Sequence, residues 1–229
     1  MGHSPHCEPQ AKQHTEFSNN FRKTPFLGIL RGLPIEQIVN CTETCKKTNL
    51  KFIEVPLNTE NAAAALSALC IEGERAGLTV GAGTVVSESD FFVAIKAGAK
   101  FIVSPNTDEK IIGLCVEKNI PCIIGALTPT EVMRAWSLGA STVKVFPVSA
   151  MGGVQYIKEL RGPFKDIPLL ACGGVNAGNT KDYFNAGCDF VSFGASVFSL
   201  EDMQRGNWQI IEEKILLLLL SNHHTLPQP

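Results

Sequence analysis

The stretch Ser141-Thr142-Val143-Lys144-Val145-Phe146-Pro147 has the composition of a short parallel strand, except for the lysine at its centre. A strand covered on both faces is nearly continuous in apolar residues, so a charged side chain inside it needs a reason. One reason is chemical, because burial favours a neutral amine, which can add to a carbonyl and form a Schiff base. The other is structural, because the stem of Lys144 can pack while its ammonium group reaches water or a carboxylate. Taken alone, the strand favours the structural interpretation.

Segments of similar composition recur before and after this strand at a spacing of about 20 to 25 residues. Short apolar runs predict strands at residues 26–32, 51–57, 78–85, 101–105, 121–126, 141–147, 168–174 and 190–196. The segments between and after them predict helices at residues 34–49, 59–76, 87–97, 107–118, 130–138, 154–160, 177–185 and 205–220. Ser87 is of the residue type that caps a helix N-terminus, and Gly98 of the type that ends a helix.

Regular alternation of strands and helices is typical of a parallel sheet, and eight such units in about 200 residues favour a closed barrel. A doubly wound open sheet is the alternative, but it usually has a Gly-rich first turn. Here Gly81-Ala82-Gly83 lies in the third unit and lacks the final glycine of a dinucleotide fingerprint. We therefore predict an α/β fold, a (β/α)8 TIM barrel that forms a single domain over residues 24–221.

The two ends of the chain lie outside this pattern. Residues 1–23 are polar and lack sustained periodicity, so we expect a disordered N-terminal tail. Residues 222–229 form a short C-terminal tail.

Composition excludes several classes of partner. A net charge of −2 gives no broad basic surface, which argues against nucleic acid. No apolar run is long enough to span a membrane, and the N-terminus lacks the apolar region of a signal peptide. The eight cysteines are scattered among apolar neighbours, as expected for buried thiols in a reducing compartment. We expect a cytoplasmic location.

The five histidines all fall in the terminal segments, at positions 3, 6, 14, 223 and 224. The body of the chain therefore cannot form a Ser-His-Asp or Cys-His site, nor a His-ligated catalytic metal site. Cys41 and Cys45 are one helical turn apart but have no further ligand cluster, which argues against zinc. We expect no metal, and chemistry that uses Lys, Glu, Asp, Arg and hydroxyl groups.

In a barrel, functional groups gather where the strands end and the βα loops begin. Polar residues occur there at Arg31, Glu54, Asn58, Thr84, Ser104, Lys144, Ser149 and Ser196. Glu54 lies inside the second strand and Lys144 inside the sixth, so each could tune the pKa of the other. A buried ion pair is the structural alternative. The absence of histidine from the body shifts the balance toward a lysine–glutamate catalytic site.

Small residues end the last two strands. Gly173 and Gly174 follow the seventh strand, while Gly194, Ala195 and Ser196 follow the eighth. Such residues let backbone N–H groups approach a phosphate, although tight turns with positive φ would require glycine equally well. The pair of turns predicts a sugar phosphate as the substrate class.

Eight stretches, in order along the chain, resemble the class I KDPG/KHG aldolases, and most closely the 2-dehydro-3-deoxy-6-phosphogalactonate (KDPGal) aldolase branch. These stretches are Ile29-Leu30-Arg31-Gly32, Ile53-Glu54-Val55-Pro56-Leu57-Asn58, Gly81-Ala82-Gly83-Thr84-Val85, Val103-Ser104-Pro105-Asn106, Lys144-Val145-Phe146-Pro147, Gln155-Tyr156-Ile157-Lys158, Gly173-Gly174-Val175 and Gly194-Ala195-Ser196. They span nearly the whole body, from about residue 26 to residue 198.

The resemblance implies cleavage of a 2-dehydro-3-deoxy-6-phospho sugar acid, of the gluconate or galactonate type, to pyruvate and D-glyceraldehyde 3-phosphate. It implies that Lys144 forms the Schiff base and that Glu54 is the acid/base carboxylate. It also implies a homotrimer, with no metal and no organic cofactor. The partner is then a small phosphorylated keto-deoxy sugar acid, rather than nucleic acid or a membrane.

The resemblance also assigns the substrate contacts and shows where this chain departs from the family. The keto-acid end would be lined by Arg31, Thr84, Pro105 and Phe146, and the phosphate held by Gly173, Gly174 and Ser196, with Gly194 and Ala195 as further substrate contacts. Asn58 stands where gluconate-type relatives have arginine. Cys172 replaces an expected threonine or valine, and Ala195 replaces a second glycine. A thiol is a weak hydrogen-bonding group, so Cys172 bears on the preference at carbon 4.

Three alternatives stay open from the sequence. The first is cleavage of 4-hydroxy-2-oxoglutarate. The second is a phosphate-binding barrel isomerase or synthase, which the glycine turns alone would suggest. The third is a non-catalytic barrel that binds a sugar phosphate as a sensor or scaffold.

Overall fold

Eight parallel strands close into a barrel in chain order, each paired with the next and β8 paired with β1. The computed structural model describes residues 8–221. The strands are β1 (Phe26–Ile29), β2 (Phe52–Pro56), β3 (Thr79–Gly83), β4 (Ile102–Ser104), β5 (Cys122–Ala126), β6 (Thr142–Val145), β7 (Leu169–Cys172) and β8 (Phe190–Phe193). The prediction of a (β/α)8 barrel in one domain is confirmed, and each strand lies within its predicted range.

Helices cover the outside of the barrel, and α1 precedes the first strand. The described helices are α1 (Glu8–Lys23), α2 (Ile38–Thr48), α3 (Ala62–Ala76), α4 (Glu88–Lys96), α5 (Glu109–Glu117), α6 (Pro129–Ser137), α7 (Val154–Arg161), α8 (Thr180–Asn185), α9 (Leu200–Arg205) and α10 (Trp208–Leu220). Helices α4, α5 and α6 begin at side-chain caps, and the predicted cap Ser87 accepts from the Asp90 amide at 3.1 Å. In this part of the chain, no helix combines the length and apolar character that a membrane span requires.

The strand register arranges the inward side chains in layers of four. Following the register once around the barrel displaces the chain by eight residues, so side chains at one height come from alternate strands. The first layer, at the N-terminal end, contains Phe52, Phe101, Thr142 and Phe190, and the second contains Leu27, Gly81, Ile123 and Leu170. The third layer contains Glu54, Val103, Lys144 and Ser192. The fourth layer, at the C-terminal end, contains Ile29, Gly83, Gly125 and Cys172. We call the third of these the lysine layer.

The N-terminal end of the barrel is closed by α1. Phe17 and Phe21 are buried at 8% and 0% exposure, and the Phe21 ring stacks on Phe190 with centroids 4.1 Å apart. Arg22 adds an ion pair to Asp189 at 3.0 Å. The prediction of a disordered tail is therefore wrong for Glu8–Lys23, because two phenylalanines one turn apart find an aromatic layer to pack on. Residues 1–7 and the predicted C-terminal tail lie outside the described residues.

Two predicted helices differ from the structure at their ends. The helix predicted at 205–220 begins at Trp208 as α10, and the short helix α9 before it, which ends at the C-cap Gly206 with φ +70°, was not predicted. The helix predicted at 34–49 begins with a 3-10 turn at Ile35–Gln37 before α2. Both differences arise at helix ends, where local turns compete with the regular hydrogen-bond pattern.

Candidate active site

All thirteen residues predicted for the site border a single cavity of about 700 Å³ at the C-terminal end of the strands. They are Arg31, Glu54, Asn58, Thr84, Pro105, Lys144, Phe146, Cys172, Gly173, Gly174, Gly194, Ala195 and Ser196. They come from both ends of the sequence, and the closed barrel brings them together. Their chemical roles stay predictions, to which the geometry adds the constraints that follow.

Lys144 and Glu54 belong to the same layer of the barrel interior. Lys144 is 6% exposed and Glu54 is 2% exposed, so both are withdrawn from solvent at the base of the cavity. The Lys144 Nζ lies 5.1 Å from the centroid of the Phe146 ring, within the range of a cation–π contact. None of the ion pairs found in the described part of the chain involves Lys144. The Lys144 side chain therefore borders the cavity without an ion-pair partner in this part of the chain.

The Glu54 carboxyl group is held in a desolvated position. Its Oε2 has no hydrogen-bond partner among the described residues. Burial raises the pKa of Glu54, while the positive charges of Lys144 and Arg31 oppose that rise. A buried carboxyl with a raised pKa and a free oxygen is suited to exchange a proton with a bound molecule.

Two glycines make space for the groups of the site. A Cβ on Gly83 would lie 2.6 Å from Cδ of Glu54, so only glycine leaves room for that carboxyl. A Cβ on Gly125 would lie 2.6 Å from the amide nitrogen of Asn106 and overlap the backbone of Pro105. Both glycines belong to the layer directly above the lysine layer, where the Glu54 carboxyl and the Pro105 backbone occupy the space that side chains would fill.

Arg31 and Asn58 meet at the mouth of the cavity. The Arg31 Nη1 donates to Oδ1 of Asn58 at 2.7 Å, which links the loops after β1 and β2. Thr84, which follows β3, has φ +55°, a left-handed conformation that is uncommon for threonine. A guanidinium fixed by a neutral amide keeps its charge available for an anion, such as the carboxylate of a keto acid.

The loops after β7 and β8 form a second wall, next to that of β1. Gly173 and Gly174 have φ of +101° and +79°, which glycine adopts without strain. The Ser196 hydroxyl donates to the Val175 carbonyl at 2.8 Å and ties the two loops together. Among the residues that the structure describes, the only lysine and arginine that line the cavity are Lys144 and Arg31, so an anion at this wall would be bound by polar backbone and hydroxyl groups.

Seven further residues line the cavity and were missed by the sequence analysis: Ile29, Val175, Asn176, Ser192, Phe193, Phe198 and Leu200. Ser192 was detectable, because it lies two residues before Gly194 on a strand whose alternate side chains point inward. Ser104 and Ser149, which the sequence placed at strand ends, do not line it. The Ser104 hydroxyl instead donates to the Asn106 carbonyl at 3.0 Å.

Metal ligands do not accompany this site. Within residues 8–221, no group of three or more His, Cys, Asp or Glu side chains is placed to hold an ion. The chemistry available is that of an amine, a protonatable carboxyl, a guanidinium and hydroxyl groups around one organic molecule. An amine next to a proton-exchanging carboxyl can form and resolve an imine with a keto compound.

Comparisons with known proteins agree with this geometry. A family model for KDPG and KHG aldolase matches residues 17–214. A 2-dehydro-3-deoxy-phosphogluconate aldolase of Haemophilus influenzae is 33% identical over 177 residues, which is 77% of this chain and 82% of the relative. The native KDPGal structure superposes with a TM-score of 0.81 at 25% identity, covering 87% of this chain and 95% of that one. KDPG aldolase from Legionella pneumophila, with pyruvate captured as a covalent carbinolamine, gives 0.81 at 26% identity, covering 88% and 97%.

Proposed function

The chain belongs to the KDPG and KHG aldolase family, and we propose that it cleaves a 2-dehydro-3-deoxy-6-phospho sugar acid to pyruvate and D-glyceraldehyde 3-phosphate. The observation that supports this most strongly is the lysine layer. One ring of the barrel interior contains a buried amine and a buried carboxyl, and both border the same cavity. The family name therefore coincides with a site that has the two groups a Schiff-base lyase needs.

Lys144 is the proposed nucleophile. Its neutral amine adds to carbon 2 of the substrate, and the carbinolamine takes up one proton, which the final hydrolysis returns, and loses water to give a protonated imine. The imine draws the electron pair of the carbon 3–carbon 4 bond toward nitrogen when that bond breaks. D-Glyceraldehyde 3-phosphate leaves, and the enamine of pyruvate stays attached to Lys144.

Glu54 is the proposed acid/base. Its carboxylate takes the proton of the carbon 4 hydroxyl as carbon 4 becomes an aldehyde carbon. The carboxylic acid then returns this proton to carbon 3 of the enamine, and water releases pyruvate and the free amine. The free Oε2 and the raised pKa of Glu54 both support such a two-way proton transfer.

Substrate binding divides between the two walls. We propose that Arg31, Asn58 and Thr84 hold the carboxylate, with Pro105 and Phe146 against the keto carbon. The phosphate lies at Gly173, Gly174, Gly194, Ala195 and Ser196, and the positive φ of Gly173 and Gly174 lets backbone N–H groups converge there. Cys172 lies between these ends, next to the middle carbons.

The proposed activity can be tested by a coupled assay that measures pyruvate release from the gluconate-derived and galactonate-derived substrates. Wild-type protein should release pyruvate from at least one of them, and Lys144→Met should lose nearly all of the rate. Methionine keeps the length and packing of the stem and removes only the amine. Pyruvate release that survives Lys144→Met would contradict a Schiff base at this lysine. Absence of pyruvate release from both substrates in wild-type protein would favour an isomerase or synthase that uses only the phosphate site.

We further propose that the protein is a homotrimer. Six large apolar side chains between 38% and 52% exposed lie on α4, α5, α6 and the turn before α4: Val86, Phe92, Val93, Val116, Met133 and Trp136. These helices are neighbours, since ion pairs join Lys110 to Glu88 and Arg134 to Glu109. An apolar surface of this kind favours association with another subunit.

We also propose the cytoplasm as its location, and as the catalytic domain the barrel of residues 24–221 together with α1, which packs against its N-terminal end. Seven cysteines of the described chain are free and buried, which supports a reducing compartment.

A further inference from the structure

Ser192 is the third polar member of the lysine layer. Counted around the barrel, the layer runs Glu54 on β2, Val103 on β4, Lys144 on β6 and Ser192 on β8. Ser192 therefore lies between the amine and the carboxyl on one side of the ring, and apolar Val103 faces it from the other. It is 1% exposed and borders the cavity.

The hydroxyl of Ser192 has only a weak partner within the described chain. It donates to the Ala171 carbonyl at 3.2 Å, beyond the 2.5 to 3.0 Å of a typical O–H···O bond. A buried hydroxyl normally makes a full hydrogen bond. The hydrogen of Ser192 is thus free to turn toward a better acceptor in the cavity, and both oxygen lone pairs can accept.

Cys172, the neighbouring position on β7, is a poor hydrogen-bonding partner for a bound molecule. Cys172 is the direct register partner of Ser192, is 4% exposed and also lines the cavity. Its thiol is a weak donor and a weak acceptor. On this wall of the site, Ser192 is the strong hydrogen-bonding side chain below the loops.

The proposed ends of the substrate fix the path of its carbon chain. Carbon 2 is at Lys144 on β6, and the phosphate is at the glycine turns that follow β7 and β8. The carbons between them must cross the wall formed by β7 and β8, above Cys172 and Ser192. Carbon 4, next to the bond that breaks, is then within the reach of both Glu54 and the β8 wall.

We propose that Ser192 is a specificity-determining residue that hydrogen-bonds the carbon 4 oxygen of the substrate. Glu54 takes the proton from this oxygen while the Ser192 hydroxyl donates to it, and the bond strengthens as the oxygen becomes that of an aldehyde. Only one configuration at carbon 4 directs the oxygen between Glu54 and Ser192. The substrates derived from gluconate and galactonate differ at this carbon, so Ser192 distinguishes them in place of the weak thiol of Cys172. This inference rests on the proposed aldolase function.

The test compares kcat/KM for both epimeric substrates in wild-type protein, Ser192→Ala and Ser192→Cys. We expect kcat/KM for the preferred epimer to fall about 10- to 100-fold in both variants, and for the other epimer to fall much less. In both variants, the ratio of kcat/KM between the two epimeric substrates should approach one. The matched control is Thr142→Val, which removes another buried hydroxyl from the barrel interior, two layers below Ser192 and away from the cavity.

The possible results distinguish failure of the Ser192 role from failure of the aldolase proposal. If both epimers lose the same factor, or the ratio between them stays at its wild-type value, Ser192 has a structural role and the inference is wrong. If Thr142→Val changes the ratio as much as Ser192→Ala, the effect is one of packing and the inference is also wrong. Reduction with borohydride in the presence of pyruvate tests wild-type Lys144 separately. If Lys144 is labelled but the ratio of kcat/KM between the epimers is unchanged in the Ser192 variants, only the proposed role of Ser192 is wrong. If Lys144 is not labelled, both the aldolase proposal and this inference are wrong.

Discussion

The Glu54 carboxyl occupies the space that a side chain on Gly83 would fill. A Cβ there would lie 2.6 Å from Cδ of Glu54 and within 3.0 Å of Oε1. Since β2 and β3 pair side by side, the glycine is the immediate neighbour that decides where the carboxyl can stand. Gly83 thus has a positioning role in the proposed reaction.

We predict that Gly83→Ala displaces the Glu54 carboxyl and lowers kcat about 100-fold, because a shift of about 1 Å in a reacting group has this effect. KM should change little, since the phosphate and carboxylate contacts lie elsewhere. Steady-state kinetics measure both. The matched control is Gly113→Ala on α5, where a Cβ meets no atom within 4 Å. A wild-type kcat in Gly83→Ala would show that the close contact between position 83 and the Glu54 carboxyl does not affect catalysis.

Glu54 should also set the acid side of the pH–rate profile. Because burial raises the pKa of Glu54, the carboxylate needed for proton abstraction forms only above the ordinary glutamate value of about 4.3. We predict that kcat rises with pH to a midpoint above that value. Glu54→Gln should lower kcat by about 10² to 10⁴ and remove this limb. A limb at an ordinary glutamate pKa in wild-type protein would contradict the desolvation of Glu54.

The same shift predicts how stability depends on pH. The folded protein binds the Glu54 proton more tightly than the unfolded chain, so between the two pKa values the folded state holds more protons. The free energy of unfolding therefore falls as pH rises through this interval. The glutamine of Glu54→Gln does not titrate, so the variant does not lose unfolding free energy in this way. Its stability relative to wild type should therefore increase from acid to neutral pH. Urea unfolding at several pH values measures the difference, and a constant difference would refute the prediction.

The contacts of α1 predict a contribution to stability. Phe21 is fully buried against Phe52 and Phe190, with ring centroids at 4.7 and 4.1 Å. Phe21→Ala should lower the free energy of unfolding by about 3 to 5 kcal/mol. Leu217→Ala, at a position 62% exposed on α10, is the control and should cost far less. Equal stability of Phe21→Ala and wild type would mean that this segment is the disordered tail expected from its polar composition.

The proposed trimer predicts a response to charge on α4. Phe92 is 52% exposed among the apolar side chains of α4 to α6. Phe92→Asp should dissociate the assembly, because a carboxylate buried at an apolar interface has no partner. Sedimentation velocity should show a species of about three chains for wild type and one for the variant. A monomeric wild-type protein would disprove the trimer, and an intact trimer in Phe92→Asp would disprove this interface.

The sequence predicted the barrel well because its signal is repeated. Apolar strand segments separated by helical segments define the order, and the closed barrel then assembles Glu54 and Lys144 from distant parts of the chain. Ser192 was missed because a serine in a strand looks ordinary until the register places it in a layer with the lysine. Phe17 and Phe21 were missed because their packing partners, such as Phe190, are distant in sequence. Leu200 lines the cavity from a helix after β8, where no strand pattern could place it.

The central claim is that the Lys144 amine forms a Schiff base with a keto acid. The most direct measurement is incubation of the wild-type protein with pyruvate and borohydride, followed by peptide mapping by mass spectrometry. We predict one reduced pyruvyl adduct at Lys144 and none at that peptide in Lys144→Met. An unmodified Lys144, or a label that falls on other lysines in both proteins, would contradict the account.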